Sequence, residues 1–208
     1  VRGITVCVDY ADLLKYTLPR NADHFDEVLV VTAPRDEETK RVVSRVSNAR
    51  CYETEAFYTQ GAKFNKGAAM EEGFDVLGRH GWICIFDADT LLPNVLSWPE
   101  ASGCIYSAHR RMCVDPTQDL QAVLAEQWQQ FAVCPDREPA GYCQIFHADD
   151  PALVKRPWYG THWEDARGCD STFNQHWPRK RWSWLQWQVC HLGECTVNWG
   201  GRVSPRVP

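Results

Sequence analysis

A chain of 208 residues with 44% hydrophobic and 24% charged residues has enough apolar side chains to bury one full core, so its composition excludes a disordered or fibrous protein. No apolar run approaches the roughly 20 residues needed to cross a bilayer. The formal charge of −5 argues against a protein that coats nucleic acid over its whole surface.

In chain order, Ile4 to Val8 reads as a buried strand, and Ala11 to Leu18 has helical spacing with Pro19 as its stop. Glu27 to Thr32 is a second strand, Glu37 to Val46 a helix, and Cys51 to Thr54 a short edge strand. Phe64 to Leu77 follows as a helix with Ala68, Ala69, Met70 and Phe74 near one side, ended by Gly78 and Gly81. Trp82 to Phe86 is a continuous apolar run of strand length leading into Asp87-Ala88-Asp89-Thr90. Strand alternating with helix implies a mostly parallel sheet flanked by helices, an α/β domain. Past Pro93 the pattern loosens. Gly103 to Ala108, Gly141 to His147 and Trp187 to Leu192 read as strands. Leu120 to Phe131, Ala152 to Lys155 and Asp170 to Trp177 read as helices. With no repeat and no linker, residues 1–208 form a single domain.

Ten cysteines without a CxxC pair, several of them inside apolar runs such as Val6-Cys7-Val8, imply reduced thiols rather than disulfides or a zinc ribbon. The opening Val1-Arg2-Gly3 lacks the features of a secretory leader, so the expected location is the cytoplasm. Charge is uneven: residues 151–208 carry eight Lys and Arg against four acids, leaving the first 150 at −9. The same basic stretch holds seven of the ten tryptophans. It reads either as a stacking and phosphate-contacting surface or as a tryptophan-rich core with a solvated Arg-Lys-Arg turn.

The chemistry concentrates where Trp82 to Phe86 ends. In open α/β sheets ligands bind beyond the carboxyl ends of strands, and there Asp87 and Asp89 present two hard oxygen ligands for Mn²⁺ or Mg²⁺ against a diphosphate. By itself Asp-x-Asp is equally a turn with two solvated acids. The context is more informative. Phe64-Asn65-Lys66-Gly67-Ala68-Ala69, a helix, a glycine turn and then Trp82-Ile83-Cys84-Ile85-Phe86-Asp87-Ala88-Asp89 resemble the family-2-like GT-A nucleotide-sugar glycosyltransferases, of the small stand-alone phage or bacterial type. The first strand and helix, Ile4 to Pro19, are similar to those that help that family hold the nucleotide base.

That resemblance implies a Rossmann-like GT-A fold with residues 1–95 as the nucleotide-sugar donor half and 96–208 as the acceptor half. It implies donor contacts at Tyr10, Asp36, Asn65, Lys66, Asp87 and Asp89, with Lys63 a further phosphate contact. The chain departs from the family at the end of the second strand, where Thr32-Ala33 replaces the usual acids. The resemblance also implies a general base near Trp163-Glu164-Asp165, with Asp170 matching best and Glu164 or Asp165 next. Asp before Ser171-Thr172-Phe173 is also what a helix N-cap looks like, and both readings stand. His191, in Val189-Cys190-His191-Leu192-Gly193, matches a C-terminal third metal ligand, and imidazole joins carboxylates readily on Mn²⁺. A lone histidine is otherwise structural.

For the acceptor, Trp163, Glu164, Arg179 and Arg181 are the candidate contacts. The run His176-Trp177-Pro178-Arg179-Lys180-Arg181-Trp182 suggests hydroxymethylated phage DNA, which would put the protein in the host cytoplasm, with a protein or cell-surface glycan as the alternative. The expected reaction is inverting transfer from a UDP-sugar, since that needs only one base. A nucleotidyltransferase would want a glycine-rich loop after the first strand, where this chain has Asp9-Tyr10-Ala11-Asp12. A non-catalytic sugar- or nucleic-acid-binding module would explain the tryptophans but not the strand-end acids.

Overall fold

Two-residue alternation decides which side chains face which layer in β1 (Arg2–Val6), β2 (Glu27–Thr32), β3 (Ala49–Glu53) and β4 (Trp82–Phe86). The computed structural model describes residues 1–134, 136–195 and 197–207. These four strands are all parallel, in the order β3-β2-β1-β4. Ile4, Leu29, Val31, Ile83 and Ile85 face one way, against Met70 and Phe74 of a helix at Lys66–Leu77. Val28, Val30, Cys84 and Phe86 face the other way, against Leu14 and Leu18 of a helix at Ala11–Ala22. Burial on both faces is why these strands read as unbroken apolar runs.

The helices of this half are α1 (Ala11–Ala22), α2 (Glu37–Val43) and α3 (Lys66–Leu77). Within α3, Gly73 costs about 1 kcal/mol of helix propensity relative to alanine. A Cβ there would come within 2.6 Å of Val31 Cγ2, so the glycine lets the helix settle directly on the sheet.

The chain continues through β5 (Thr90–Leu91), β6 (Ile105–Cys113), α4 (Pro116–Leu124), β7 (Ala132–Cys134), β8 (Cys143–His147), α5 (Cys169–Asn174) and β9 (Trp182–Leu192). Beyond β4 the sheet runs β8-β6-β9-β5, with β7 on β6. Here the pairings are mixed: β8 is antiparallel to β4 and β6, while β9 lies parallel to β6.

Several boundaries differ from the sequence expectation for definable reasons. Pro19 does not stop α1: it sits on the exposed side, where the loss of its N–H leaves only a solvated carbonyl. Buried Leu18, Asn21 and Ala22 hold the last turn against the protein. The helix expected from Leu120 to Phe131 is instead α4, started by the Asp115 cap and Pro116, and broken where Glu126 takes φ 56°. β6 runs on through His109-Arg110-Arg111, a polar stretch that hides a strand because its neighbours border a cavity. β9 starts at Trp182 because it pairs with β6 from Ile105 onward.

The tryptophan-rich tail is partly core. Trp158 and Trp177 are buried among Phe74, Phe146 and Phe173, and their indole N–H groups donate to Leu153 O and Asp150 Oδ2. All ten cysteines are free. No helix among the described residues is long and apolar enough to cross a membrane.

Candidate active site

α1 fixes the backbone at the end of β4. Thr17 Oγ1 donates to Ala88 O at 2.7 Å, and the Asn21 amide donates to Thr90 O at 2.8 Å while accepting from Leu92 N at 2.9 Å. Thr90 N donates to Asp87 O, so Asp87-Ala88-Asp89 forms a closed turn rather than a mobile loop. Neither Thr17 nor Asn21 stood out in the sequence, because a polar residue on an otherwise apolar helix face carries no mark of its partner.

β5 then pairs antiparallel with β9, setting Thr90 opposite His191, and Leu192 N donates to Asp89 O at 2.8 Å. This places His191 Nε2 3.7 Å from Asp89 Oδ1. Nδ1 of the same ring is buried without a hydrogen-bond partner. One ion with bonds of about 2.1 Å spans such a gap, since two bonds reach farther than the separation. Among the described residues no three His, Cys, Asp or Glu side chains form a closed metal cage. The facing carboxylate oxygen and imidazole nitrogen are donors that an ion of the Mg²⁺ or Mn²⁺ kind accepts, such an ion taking one or two protein ligands and further oxygens from a phosphate substrate.

These residues line a cavity of about 280 Å³ together with Tyr10, Lys66, Arg110, Asp170 and Trp199. Lys66 is 5% exposed, and its ammonium lies 2.8 Å from Asp87 Oδ1 and 3.3 Å from Asp170 Oδ1. Burial alone would lower the lysine pKa, but Asp170 and Asp87 outweigh it and hold Lys66 well above its ordinary value. Burial pushes Asp87 up, yet the Lys66 charge, with His191 and Arg110 behind it, overcomes this and keeps its carboxyl below the usual range. Asp89 goes the other way: burial raises it, and His191 only partly offsets burial and the neighbouring Asp87. Two acids separated by one residue are thus driven in opposite directions, Asp87 downward by the Lys66 ammonium it contacts and Asp89 upward by burial.

Asp170 lies inside the first turn of α5, whose cap is Gly168 at φ 80°, so its carboxylate does not cap the helix. It points at Lys66, over Gly141. A Cβ on residue 141 would stand 2.4 Å from Lys66 Nζ and 2.5 Å from both Asp170 carboxylate oxygens. Only a glycine lets the entry to β8 pass beneath this pair.

Tyr10 lines the cavity at the start of α1, with the Arg202 guanidinium 4.6 Å from its ring centroid. The other expected contacts take structural places. Asp36 caps α2 through Thr39 N and also accepts from Asp9 N at 2.8 Å, fixing the exit of β1 from outside the cavity. Asn65 caps α3 through Ala68 N and donates to Thr161 O. The Trp163 indole donates to Tyr159 O at 3.0 Å and packs where a side chain at Gly67 would collide with it, its Cβ standing 2.6 Å from Trp163 Cδ1. Glu164 pairs with Lys63 at 3.4 Å on the exposed surface. Arg179 and Arg181 form the turn before Trp182, at the opposite end of β9 from His191. At about 3.3 Å per residue that is roughly 30 Å away. Trp199 lines the cavity as well, and so do Arg110 and Glu194, which were not singled out by sequence because they are brought in by β6 and by the chain after β9.

No protein-family model matches the chain, and no curated protein matches it in sequence. Solved structures do match. Mannosyl-3-phosphoglycerate synthase from Rubrobacter xylanophilus aligns with a TM-score of 0.54 at 14% identity, over 94% of this chain and 67% of the synthase. Glucosyl-3-phosphoglycerate synthase from Mycobacterium tuberculosis, in complex with Mn²⁺, UDP-glucose and phosphoglyceric acid, aligns with a TM-score of 0.57 at 13% identity, over 94% and 72%. 4-Diphosphocytidyl-2C-methyl-D-erythritol synthase from Anaerococcus prevotii aligns with a TM-score of 0.50 at 12% identity, over 93% and 87%. Such identities speak to architecture. The strand-end acids, the mostly parallel sheet flanked by helices and these alignments together give the chain the GT-A fold.

Proposed function

We propose that this chain is a divalent-metal-dependent glycosyltransferase that moves a sugar from a nucleotide sugar, in the first instance a UDP-sugar, to an acceptor hydroxyl. The observation that carries this reading is the β5–β9 pairing. It sets His191 against Asp89 in the cavity that also holds Asp87, Lys66 and Asp170. The structure from Mycobacterium tuberculosis, alike in fold, contains Mn²⁺ and UDP-glucose, which supports the choice of ion and donor.

In this reading Asp89 and His191 hold Mn²⁺ or Mg²⁺, with Asp87 beside them. When bound, the ion supplies positive charge to the departing nucleoside diphosphate. Lys66 keeps Asp87 ionised and holds the Asp170 carboxylate at the cavity wall. Tyr10 offers its ring to the nucleotide base. Asp170 takes the acceptor hydroxyl's proton as that oxygen attacks the anomeric carbon and the bond to the diphosphate oxygen breaks. A single base acting opposite the leaving group inverts the configuration.

Nucleotidyl transfer is the weaker reading because the loop between β1 and α1, Cys7-Val8-Asp9-Tyr10, has no glycine to wrap a triphosphate. Hydroxymethylated DNA is not adopted as the acceptor, since the Arg179 to Arg181 turn stands at the far end of β9. Nucleotide sugars screened by thermal shift, with and without Mn²⁺, test the proposal, because a ligand that binds only the folded state raises its unfolding temperature. UDP-glucose and Mn²⁺ together should stabilise the wild type and not Asp89→Ala. Equal stabilisation of both proteins would remove the metal assignment.

A further inference from the structure

The basic side chains around the cavity are engaged with acids. Arg110 is bidentate on Asp136, at 3.0 and 2.8 Å. Arg167 is bidentate on Asp165, Nε to Oδ1 at 3.0 Å and Nη2 to Oδ2 at 2.6 Å. Arg202 holds Asp12 at 2.9 Å, and Lys66 lies between Asp87 and Asp170. Among the described lining residues, Lys66 and Arg110 face four carboxylates: Asp87, Asp89, Asp170 and Glu194. A divalent ion balances that excess, and a donor diphosphate then returns the site to net negative charge. A second anion entering beside Asp170 would meet repulsion and find no open cation among these residues.

The wall offers something else to an acceptor. Trp199 lines the same cavity, is 40% exposed, and carries the Arg167 guanidinium 5.6 Å from its ring centroid. Its carbonyl accepts from Ala166 N at 2.9 Å, which fixes the residue beside the loop leading to Asp170. A flat indole lining the same cavity as the Asp170 carboxylate suits the apolar C–H face of a sugar ring, with the ring's hydroxyls left free to reach the acid.

We propose that the acceptor is an uncharged carbohydrate that stacks on Trp199 and presents a hydroxyl to Asp170, in contrast to the phosphoglyceric acid held by the structure from Mycobacterium tuberculosis. This inference rests on the glycosyltransferase reading above. Saturation-transfer NMR on the full chain with Mg²⁺ and UDP tests it. The probes are the methyl glycosides of glucose, galactose, mannose and N-acetylglucosamine, together with 3-phosphoglycerate. At least one glycoside should receive saturation on its ring protons, with at least fivefold less in Trp199→Ala and retention in Trp199→Phe, while 3-phosphoglycerate receives none. Saturation of 3-phosphoglycerate at the level of the best glycoside, no saturation of any glycoside, or a glycoside signal indifferent to Trp199→Ala would each overturn it. The uracil and ribose signals of UDP in the same samples report the donor site separately, so their absence counts against the proposed function and not against the acceptor class.

Discussion

The ammonium of Lys66 stands 3.3 Å from Asp170 Oδ1 while also contacting Asp87 at 2.8 Å, so one buried cation joins the acid at the end of β4 to the acid in the first turn of α5. Lys66→Met would leave two carboxylates facing each other without a counter-ion. Breaking a fully buried pair costs about 3–5 kcal/mol. Here Asp87 and Asp170 keep 31% and 25% of their side-chain exposure, so a smaller loss is expected, about 2 kcal/mol, visible as a lower denaturant midpoint. An unchanged midpoint would mean that the ion pair contributes nothing to the fold.

Gly141 separates positioning from stability. Gly141→Ala pushes a methyl group into the ends of Lys66 and Asp170, which yield by moving and not by unfolding. Transfer should fall by at least about tenfold, equivalent to about 1.4 kcal/mol in the barrier. The unfolding temperature should shift little. A large drop in stability with the rate per folded molecule preserved would show that the glycine serves the backbone alone.

His191→Ala should weaken the Mn²⁺ dependence of nucleotide binding, read as a metal titration of the calorimetric UDP affinity. Even the hydrogen-bonding supports of metal ligands are typically worth roughly 10- to 100-fold in metal affinity, so loss of a direct ligand should cost at least as much. A titration that overlays the wild type would make His191 a structural residue of the β5–β9 pair.

Acid should loosen the loop in front of α5. Asp165 accepts from Arg167 Nε, Nη2 and backbone N, and the Arg167 hydrogen bonds, outweighing the effect of burial, hold its carboxyl below the ordinary carboxylate range. A depressed folded value means that the stabilisation is present above the unfolded pKa and is lost as the pH falls through the folded one. The difference in unfolding temperature between wild type and Asp165→Asn should therefore be constant near neutrality and shrink below the ordinary carboxylate range. A difference that stays constant into strong acid would show that the ion pair is not what Asp165 contributes.

Local pattern alone located β2 and β4 at their observed limits, because both strands are buried on two faces and read as unbroken apolar runs. It also placed Asp87 and Asp89 at a strand exit, while the family resemblance nominated Asp170, Lys66, Tyr10 and His191, and all six line one cavity. The resemblance also named Asp36 and Asn65 as donor contacts, and in the structure their side chains cap α2 and α3 and tie down Asp9 and Thr161. A residue that caps and a residue that binds have the same side-chain chemistry, so composition cannot separate them.

What the sequence by itself determined is the alternation of strand and helix and the position of the acids, since both follow from periodicity along a few neighbouring residues. Which distant residues meet was decided by tertiary pairing. Thr90 opposite His191 brings a histidine 102 positions away to Asp89, and α5 swings Asp170 over Gly141 onto Lys66. Arg179 and Arg181, close to His191 in sequence, are carried to the opposite end of the sheet by the length of β9. Proximity across a sheet depends on strand order, register and direction, and these are set by long-range hydrogen bonds that leave no local trace in the chain.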